Sequence, residues 1–344
     1  MNNPKVSIII VNWNGKHLLK NCLTSVFNQT YPNYEVVLVD NASTDGSVEY
    51  VKKNFPKTKI IVNEENLGWS GGNNIGIEKT DGELIVLLNN DTIVDENWLE
   101  ELVKAVTSDE KIVAAGSRVY GEEKIATLNL VGICIPTFSI PDKITPVFFP
   151  AGCSMICKRD LIDVPPFDHD YFMYNDDIYF GWYMRLKGYE IVYAPSSTLD
   201  HLESTSGKKV RGLIPYLEDR NRLLNVLLFY ESSTLLKIFP LLIVSFAFNI
   251  LSNPKDRFKI ISYVMRNMGA IRKKRKRIQN GRRIRDKDII KYMTYKLSGK
   301  GGPFYEMVNK LVYWYCRLTK LYTYEFYDQI HVKRKRSAVR EVDK

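Results

Sequence analysis

Two acid-bearing stretches carry residue types from which a reaction centre can be built. The first is Asn89-Asn90-Asp91-Thr92, on which the apolar run Leu84-Ile85-Val86-Leu87-Leu88 stops. A carboxylate flanked by amides can hold a divalent cation that also grips substrate phosphates. Asn and Asp are equally ordinary turn residues, so these four alone leave both readings open. The second is Asp176-Asp177, at the end of the aromatic and acidic run Asp170-Tyr171-Phe172-Met173-Tyr174-Asn175. Paired acids there read either as carboxylates stabilising a helix N-terminus or as groups that take and give protons.

The elements that position these residues follow from the apolar pattern. Leu84–Leu88 is short and bounded, which predicts a buried strand. A strand buried on both faces belongs to a parallel sheet covered by helices, where ligands bind beyond the carboxyl ends of strands. Two other predicted strands end similarly. Val6–Asn12 runs into Asn12-Trp13-Asn14-Gly15, and Glu35–Asp40 into Asp40-Asn41-Ala42-Ser43-Thr44-Asp45-Gly46. Parallel strands bring all three ends to one edge. There Trp13 could stack on a base, Asp40 could accept a hydrogen bond from a base N–H, and Asp91 could reach a metal and a pyrophosphate. Burial for Trp13 and loop capping for Asp40 are the plainer alternatives. Further strands are expected at Lys59–Asn63, Lys111–Ser117 and Glu190–Ala194. Helices are expected at Lys16–Asn28, Val48–Asn54, Gly72–Lys79, Asp95–Thr107 (with Asp95 as N-cap) and Ile178–Lys187. Residues 121–150, with four prolines, read as irregular. The alternation predicts an α/β fold with a mostly parallel, Rossmann-like sheet flanked by helices.

A dinucleotide-binding domain needs a Gly-rich turn after its first strand, and Asn12–Lys16 holds one glycine. The Gly-rich stretch, Asn66 to Gly76, follows the third strand instead and could let backbone approach a phosphate or sugar. No P-loop motif occurs. The five cysteines are scattered; Cys153 and Cys157 lack the partners of a zinc site and read as small buried hydrophobes, which fits a reducing compartment.

The stretches VSIIIVNWNG, VVLVDNASTDGS, NLGWSGGNNIG, GELIVLLNNDT and PFDHDYFMYNDDIYFGWYMRLKGY together resemble the family 2 inverting glycosyltransferases, and in style their rhamnosyltransferase-like branch. The resemblance covers about residues 5–230 and implies a GT-A fold. It implies that Asp91 is the metal-binding end of a D-x-D motif, with Asn89 in place of its first acid, and that the cofactor is Mg2+ or Mn2+. It places Trp13 on the nucleotide base, Asp40 as the acid that reads it, and Asn14, Asn41, Gly72, Asn73 and Asn90 in the donor pocket. Asp176-Asp177 matches a Glu-Asp motif near the acceptor, which makes Asp177 the catalytic base. His201 matches a histidine that ligates the metal or contacts the diphosphate; a structural role is the alternative. Arg220 and Arg222 are expected either at a phosphate or on a solvated helix face. The implied reaction moves a sugar from a UDP- or dTDP-linked donor to a hydroxyl of a lipid-linked glycan, in cell-surface polysaccharide or glycoprotein glycan synthesis. A glycan-binding relative without activity is the alternative from another class.

Charge divides the chain. Residues 1–200 hold 17 Lys and Arg against 27 Asp and Glu; residues 201–344 hold 32 against 12. We therefore expect a catalytic domain over 1–215 and a basic, largely helical, membrane-associating region over 216–344. Leu235–Leu251 is shorter than the roughly 20 apolar residues of a bilayer span and is broken by Lys237, Pro240 and Asn249. It reads as an interfacial or buried helix. The run Arg272 to Arg277 is suited to an anionic membrane surface, or is simply a solvated charge run. It has no interleaved aromatics for stacking bases, which argues against nucleic acid as a partner. Gly299–Pro303 reads as a hinge and Val308–Tyr327 as amphipathic. The first strand begins almost at once, with no signal-peptide pattern, so the expected location is cytoplasmic, peripheral on the inner face of the cell membrane.

Overall fold

A computed structural model describes residues 3–202, 212–250 and 254–326. Leu251 and Tyr327, the last residues of two segments expected above, lie outside these.

Eleven strands run in chain order among the described residues: β1 (Val6–Asn12), β2 (Tyr34–Asp40), β3 (Lys59–Val62), β4 (Leu84–Asn89), β5 (Thr92–Val94), β6 (Ile112–Val119), β7 (Lys124–Leu128), β8 (Cys134–Ser139), β9 (Thr145–Pro146), β10 (Ser154–Lys158) and β11 (Glu190–His201). The helices are α1 (Lys16–Phe27), α2 (Ser47–Asn54), α3 (Gly68–Glu78), α4 (Trp98–Thr107), α5 (Asp176–Leu186), α6 (Ile214–Phe229), α7 (Ser232–Ile250), α8 (Pro254–Arg266), α9 (Met268–Asn280), α10 (Asp286–Ile290) and α11 (Pro303–Thr319). Two compact units form. One takes Met1–Glu123 and Ile140–Asn221; the other takes Lys124–Ser139 and the chain from Arg222 onward.

The first unit is built on a sheet of order β3-β2-β1-β4-β10-β6-β11-β5, with β9 paired to β11. β1, β2, β3 and β4 are mutually parallel, β10 is antiparallel to both its neighbours, and β6 and β11 are parallel. Ile8, Ile9 and Ile10 are all fully buried, so both faces of β1 are covered, as an unbroken apolar run requires. Burying each such side chain contributes roughly 1.5–3 kcal/mol. α1 and α4 lay Leu19, Leu23, Trp98 and Leu102 on one face. α3 covers the other so closely that a Cβ on Gly72 would stand 2.8 Å from Val11. The close approach that Gly72 permits is thus to the sheet.

Four local expectations are corrected. Asp95 is not an N-cap. α4 begins at Trp98 after Asn97, which makes no side-chain cap bond. The Asp95 carboxylate instead accepts from Tyr120 Oη at 2.6 Å and from Thr198 Oγ1. α3 starts four residues before Gly72, because the N–H groups of Trp69 and Ser70 find an acceptor in the Phe172 carbonyl. Residues 121–150 are not irregular throughout. Lys124–Leu128 and Cys134–Ser139 pair antiparallel, with the Asn129 side chain accepting from the N–H groups of Val131 and Ile133 in the turn. The strand expected to end at Ala194 continues to His201, with an irregularity between Ala194 and Thr198.

The second unit adds this hairpin to helices α7–α11. The last carbonyls of α6 are capped from α9 and beyond: Arg275 donates to Leu227 O at 2.6 Å, Gln279 to Leu228 O at 2.8 Å, and Arg282 to Phe229 O. The basic run is therefore split. Arg275 is turned inward, while Arg272, Lys273, Lys276 and Arg277 are exposed. Among the described residues no helix is long and apolar enough to cross a membrane.

Candidate active site

Register fixes the centre of the site. Asn12 pairs with Asp40 and Val11 with Asn89, so the carboxyl ends of β1, β2 and β4 lie side by side. One hydrogen-bond network ties them. Asn90 Nδ2 donates to Asn12 Oδ1 at 2.8 Å, Asn12 Nδ2 to Asp40 Oδ2 at 3.0 Å, and Ser43 N to Asp40 Oδ1 at 2.8 Å. Asn14 extends it, its N–H donating to Ser43 Oγ and its Oδ1 accepting from Thr44 N, each at 2.7 Å.

A cleft of about 310 Å³ opens over this edge. Trp13, Asn41, Asn90, Asp91, Asp176, Asp177 and His201 all line it. Asp40, Asn14, Gly72 and Asn73 are outside the lining. Asp40 is fully buried with both oxygens occupied by the network, and Asn73 Nδ2 donates to Trp69 O at 2.9 Å. They sit behind the wall and shape it. Arg220 and Arg222 do not lie on a solvated helix face: both are buried, Arg220 donating to Asp170 O at 2.8 Å and Arg222 to Val131 O at 2.7 Å.

Asp91 and His201 meet at one corner of the cleft. His201 Nε2 stands 3.2 Å from Asp91 Oδ1, a charge contact without hydrogen-bond alignment. Asp91 Oδ1 is buried with no hydrogen-bond donor among the described residues. An orphaned buried carboxylate oxygen beside an imidazole nitrogen suits a divalent cation. Contact with Asp91 outweighs desolvation and raises the proton affinity of His201. Asn89 is engaged otherwise, its Oδ1 accepting from Trp69 Nε1 at 3.1 Å. A second acidic group, Asp168-His169-Asp170, brings three ligand atoms within 4.8 Å of one another, largely exposed on a turn outside the cleft lining.

On the other wall, α5 begins at Asp176. Burial pushes the Asp176 carboxyl well above the usual range, and its Oδ1 hydrogen-bonds Ser70 Oγ on α3. Burial also raises Asp177 to about 6, against the opposing hydrogen bond from Ile178 N–H at 2.8 Å. A carboxyl of that value is ionised at neutral pH yet basic enough to accept a proton.

What holds this wall is not evident from the sequence. Phe172, Tyr174 and Asn175 all have positive φ, 65°, 69° and 62°, a backbone that costs about 1–3 kcal/mol per residue. The turn is held by its carbonyls. The fully buried Asn221 donates Nδ2 to Tyr171 O at 3.1 Å, Met173 O at 3.0 Å and Tyr174 O at 2.8 Å, while Trp69 N donates to Phe172 O at 2.6 Å. Gly152 is the other missed residue: a Cβ there would lie 2.9 Å from Asp177 Oδ2.

Residues 7–164 match the family model "Glycosyl transferase family 2". This segment is a family 2 glycosyltransferase domain. An uncharacterized glycosyltransferase of Haemophilus influenzae is 32% identical over 119 residues, which is 34% of this chain and 37% of that protein. The chain thus spans well under two thirds of that relative. The UDP-Glc:alpha-D-GlcNAc-diphosphoundecaprenol beta-1,3-glucosyltransferase WfgD of Escherichia coli is 27% identical over 191 residues, 54% of this chain and 72% of that protein. The crystal structure of GalNAc-T7 with UDP, GalNAc and Mn2+ superposes with a TM-score of 0.51 at 18% identity, over 59% of this chain and 44% of that one. The family 2 domain therefore has the GT-A-type fold, an α/β sheet with parallel strand ends beneath the cleft.

Proposed function

We propose that this chain is a metal-dependent, inverting glycosyltransferase that moves a sugar from a UDP- or dTDP-linked donor to a hydroxyl of a lipid-linked glycan. The carrying observation is that one cleft gathers the Asp91 carboxylate beside the His201 imidazole, a pair suited to a cation, and a carboxylate raised to about 6, Asp177. The Escherichia coli relative, named for a diphosphoundecaprenol-linked acceptor, supports the acceptor class. The UDP and Mn2+ in the GalNAc-T7 crystal support the donor and metal classes.

We assign Trp13, Asn41 and Asn90 to direct donor contact, with Asp40, Asn14, Gly72 and Asn73 holding their walls. Asp177 accepts the proton of the acceptor hydroxyl as its oxygen attacks the anomeric carbon. The bond to the diphosphate breaks with its electron pair leaving on the phosphate oxygen. A single displacement inverts the centre. A positioned base typically contributes about 100- to 10,000-fold. Asp176, its carboxyl pushed up by burial, orients the start of α5 through Ser70. Asp91 and His201 would hold Mg2+ or Mn2+, which neutralises diphosphate charge. The basic second unit fits a peripheral position on the inner face of the membrane, where a lipid-linked acceptor is presented.

Asp177→Asn tests this reading. Transfer, followed as nucleoside diphosphate release with acceptor present, should fall at least about 100-fold while donor binding by calorimetry is kept. Near-normal turnover in that variant removes Asp177 from the base role, and binding unaffected by chelation removes the metal.

A further inference from the structure

The exposed face of α11 contributes no residue to the lining of the candidate cleft. Phe304, Met307, Leu311, Trp314 and Leu318 recur at spacings of three and four residues, which places them on one side of Pro303–Thr319. All five are at least half exposed, Leu318 by 81%, whereas Val312 and Cys316 on another side are buried. Scattered apolar side chains are normal on a surface, but a continuous stripe marks an interaction face. The same unit repeats the pattern. α7 exposes Leu236, Phe239 and Ile243, and α8 exposes Phe258, Ile261 and Met265. Tyr315 Oη donates to Lys237 O at 2.6 Å, so α11 is fastened directly to α7.

Charge selects the occupant. Lys310 and Arg317 flank the stripe, and the Arg317 guanidinium lies 5.3 Å from the Trp314 ring centre. Arg272, Lys273, Lys276 and Arg277 are exposed on α9, and Lys333-Arg334-Lys335-Arg336 follows later in the sequence. A second copy would bring the same excess of cations to a shared face. Anionic headgroups complement it, at about 1 kcal/mol per Lys or Arg near the surface. Tryptophan, phenylalanine and leucine on one face with cations beside them describe a helix lying in the interface, its apolar side about 5–10 Å into the headgroup and acyl boundary. At 17 residues α11 is too short to span the hydrocarbon core.

We propose that α11 is the membrane-docking element, seated in the plane of an anionic bilayer through Phe304, Met307, Leu311, Trp314 and Leu318. This rests on the peripheral placement proposed above but not on the transfer chemistry. The test is flotation of the full chain with phosphatidylcholine vesicles containing or lacking about 30% phosphatidylglycerol, at about 0.1 M and about 0.5 M salt. The parent should float with the anionic vesicles, less at high salt. Leu311→Glu/Leu318→Glu and, separately, Phe304→Ser/Trp314→Ser should each partition at least about tenfold less, with circular dichroism melting unchanged. A parent that does not float, or variants that float like it, overturns the proposal. So does a parent dimer that these substitutions convert to monomer without vesicle binding. Retained transfer to a soluble acceptor by non-floating variants leaves the catalytic reading standing, so the two can fail separately.

Discussion

His201, the last residue of β11, closes on Asp91, just beyond the end of β4, with Nε2 and Oδ1 3.2 Å apart. The contact raises the proton affinity of His201 above that of an ordinary histidine. In metal-free protein its stabilising effect is therefore fully present below the unfolded value of 6.5 and is lost as pH rises through the higher folded value. His201→Gln should lower Tm by about 2–4 °C near pH 5.5 and by less than about 1 °C near pH 9. Calorimetric scans in chelator across that range decide it, and an equal Tm gap at both ends refutes the pairing. With the imidazole as a ligand in the proposed metal site, added Mn2+ should stabilise the parent more than the variant.

In the proposed reaction the Asp177 carboxyl, held up at about 6 by burial, sets the acid limb of activity. Below that value the base is protonated, and kcat/KM should fall about tenfold per pH unit. Stability has the reverse sense. Folded protein holds this proton between the usual carboxylate value and about 6 while unfolded chain releases it, so the group costs stability as pH rises through that window. Asp177→Asn should remove that slope and melt higher than the parent at neutral pH. A variant melting lower at pH 7.5 than at pH 4 relative to parent contradicts the assignment.

Gly152 sets the position of Asp177 by lacking a side chain. A Cβ at that position meets Asp177 Oδ2 at 2.9 Å, closer than van der Waals contact allows, so Gly152→Ala must displace the carboxylate or the turn. A misplacement near 1 Å costs about 100-fold in rate. The variant should lose that much in kcat with donor affinity within about twofold, since Trp13 and Asp91 are untouched. Unchanged kcat would mean the wall moves freely.

The parallel strand ends were legible because Leu84–Leu88 and its counterparts are unbroken apolar runs that stop on Asn and Asp. That pattern needs no tertiary knowledge. The Gly-rich stretch was legible as close approach but not as approach to what: Gly72 meets Val11, a partner distant in sequence. The hairpin of β7 and β8 was hidden by Pro136, which sits within β8 of a two-stranded sheet, where a missing N–H is tolerated. Arg220-Asn221-Arg222 drew attention for its charges, yet the middle amide does the holding. Nothing local tells that three carbonyls 47 to 50 residues away converge on Asn221.

That convergence gives the last prediction. An amide offers only donors at Nδ2, and three carbonyls of a left-handed turn use them; a carboxylate at the same place would face those carbonyls with acceptors. Leaving a buried carbonyl unsatisfied costs about 1–3 kcal/mol. Asn221→Ala should therefore lower Tm and relax residues 171–175, and Asn221→Asp should be worse than Ala despite its closer shape. The readout beyond stability is catalytic. Well below Tm, where every variant is folded, kcat should fall in the order Asn, Ala, Asp, and the acid limb of the pH profile should shift as Asp177 loses its fixed surroundings. Donor KM should stay within about threefold, because the proposed donor side of the cleft is held by the Asn12, Asp40 and Asn90 network. Variants with the parent's kcat and pH profile but lower Tm would reduce Asn221 to a residue of stability alone.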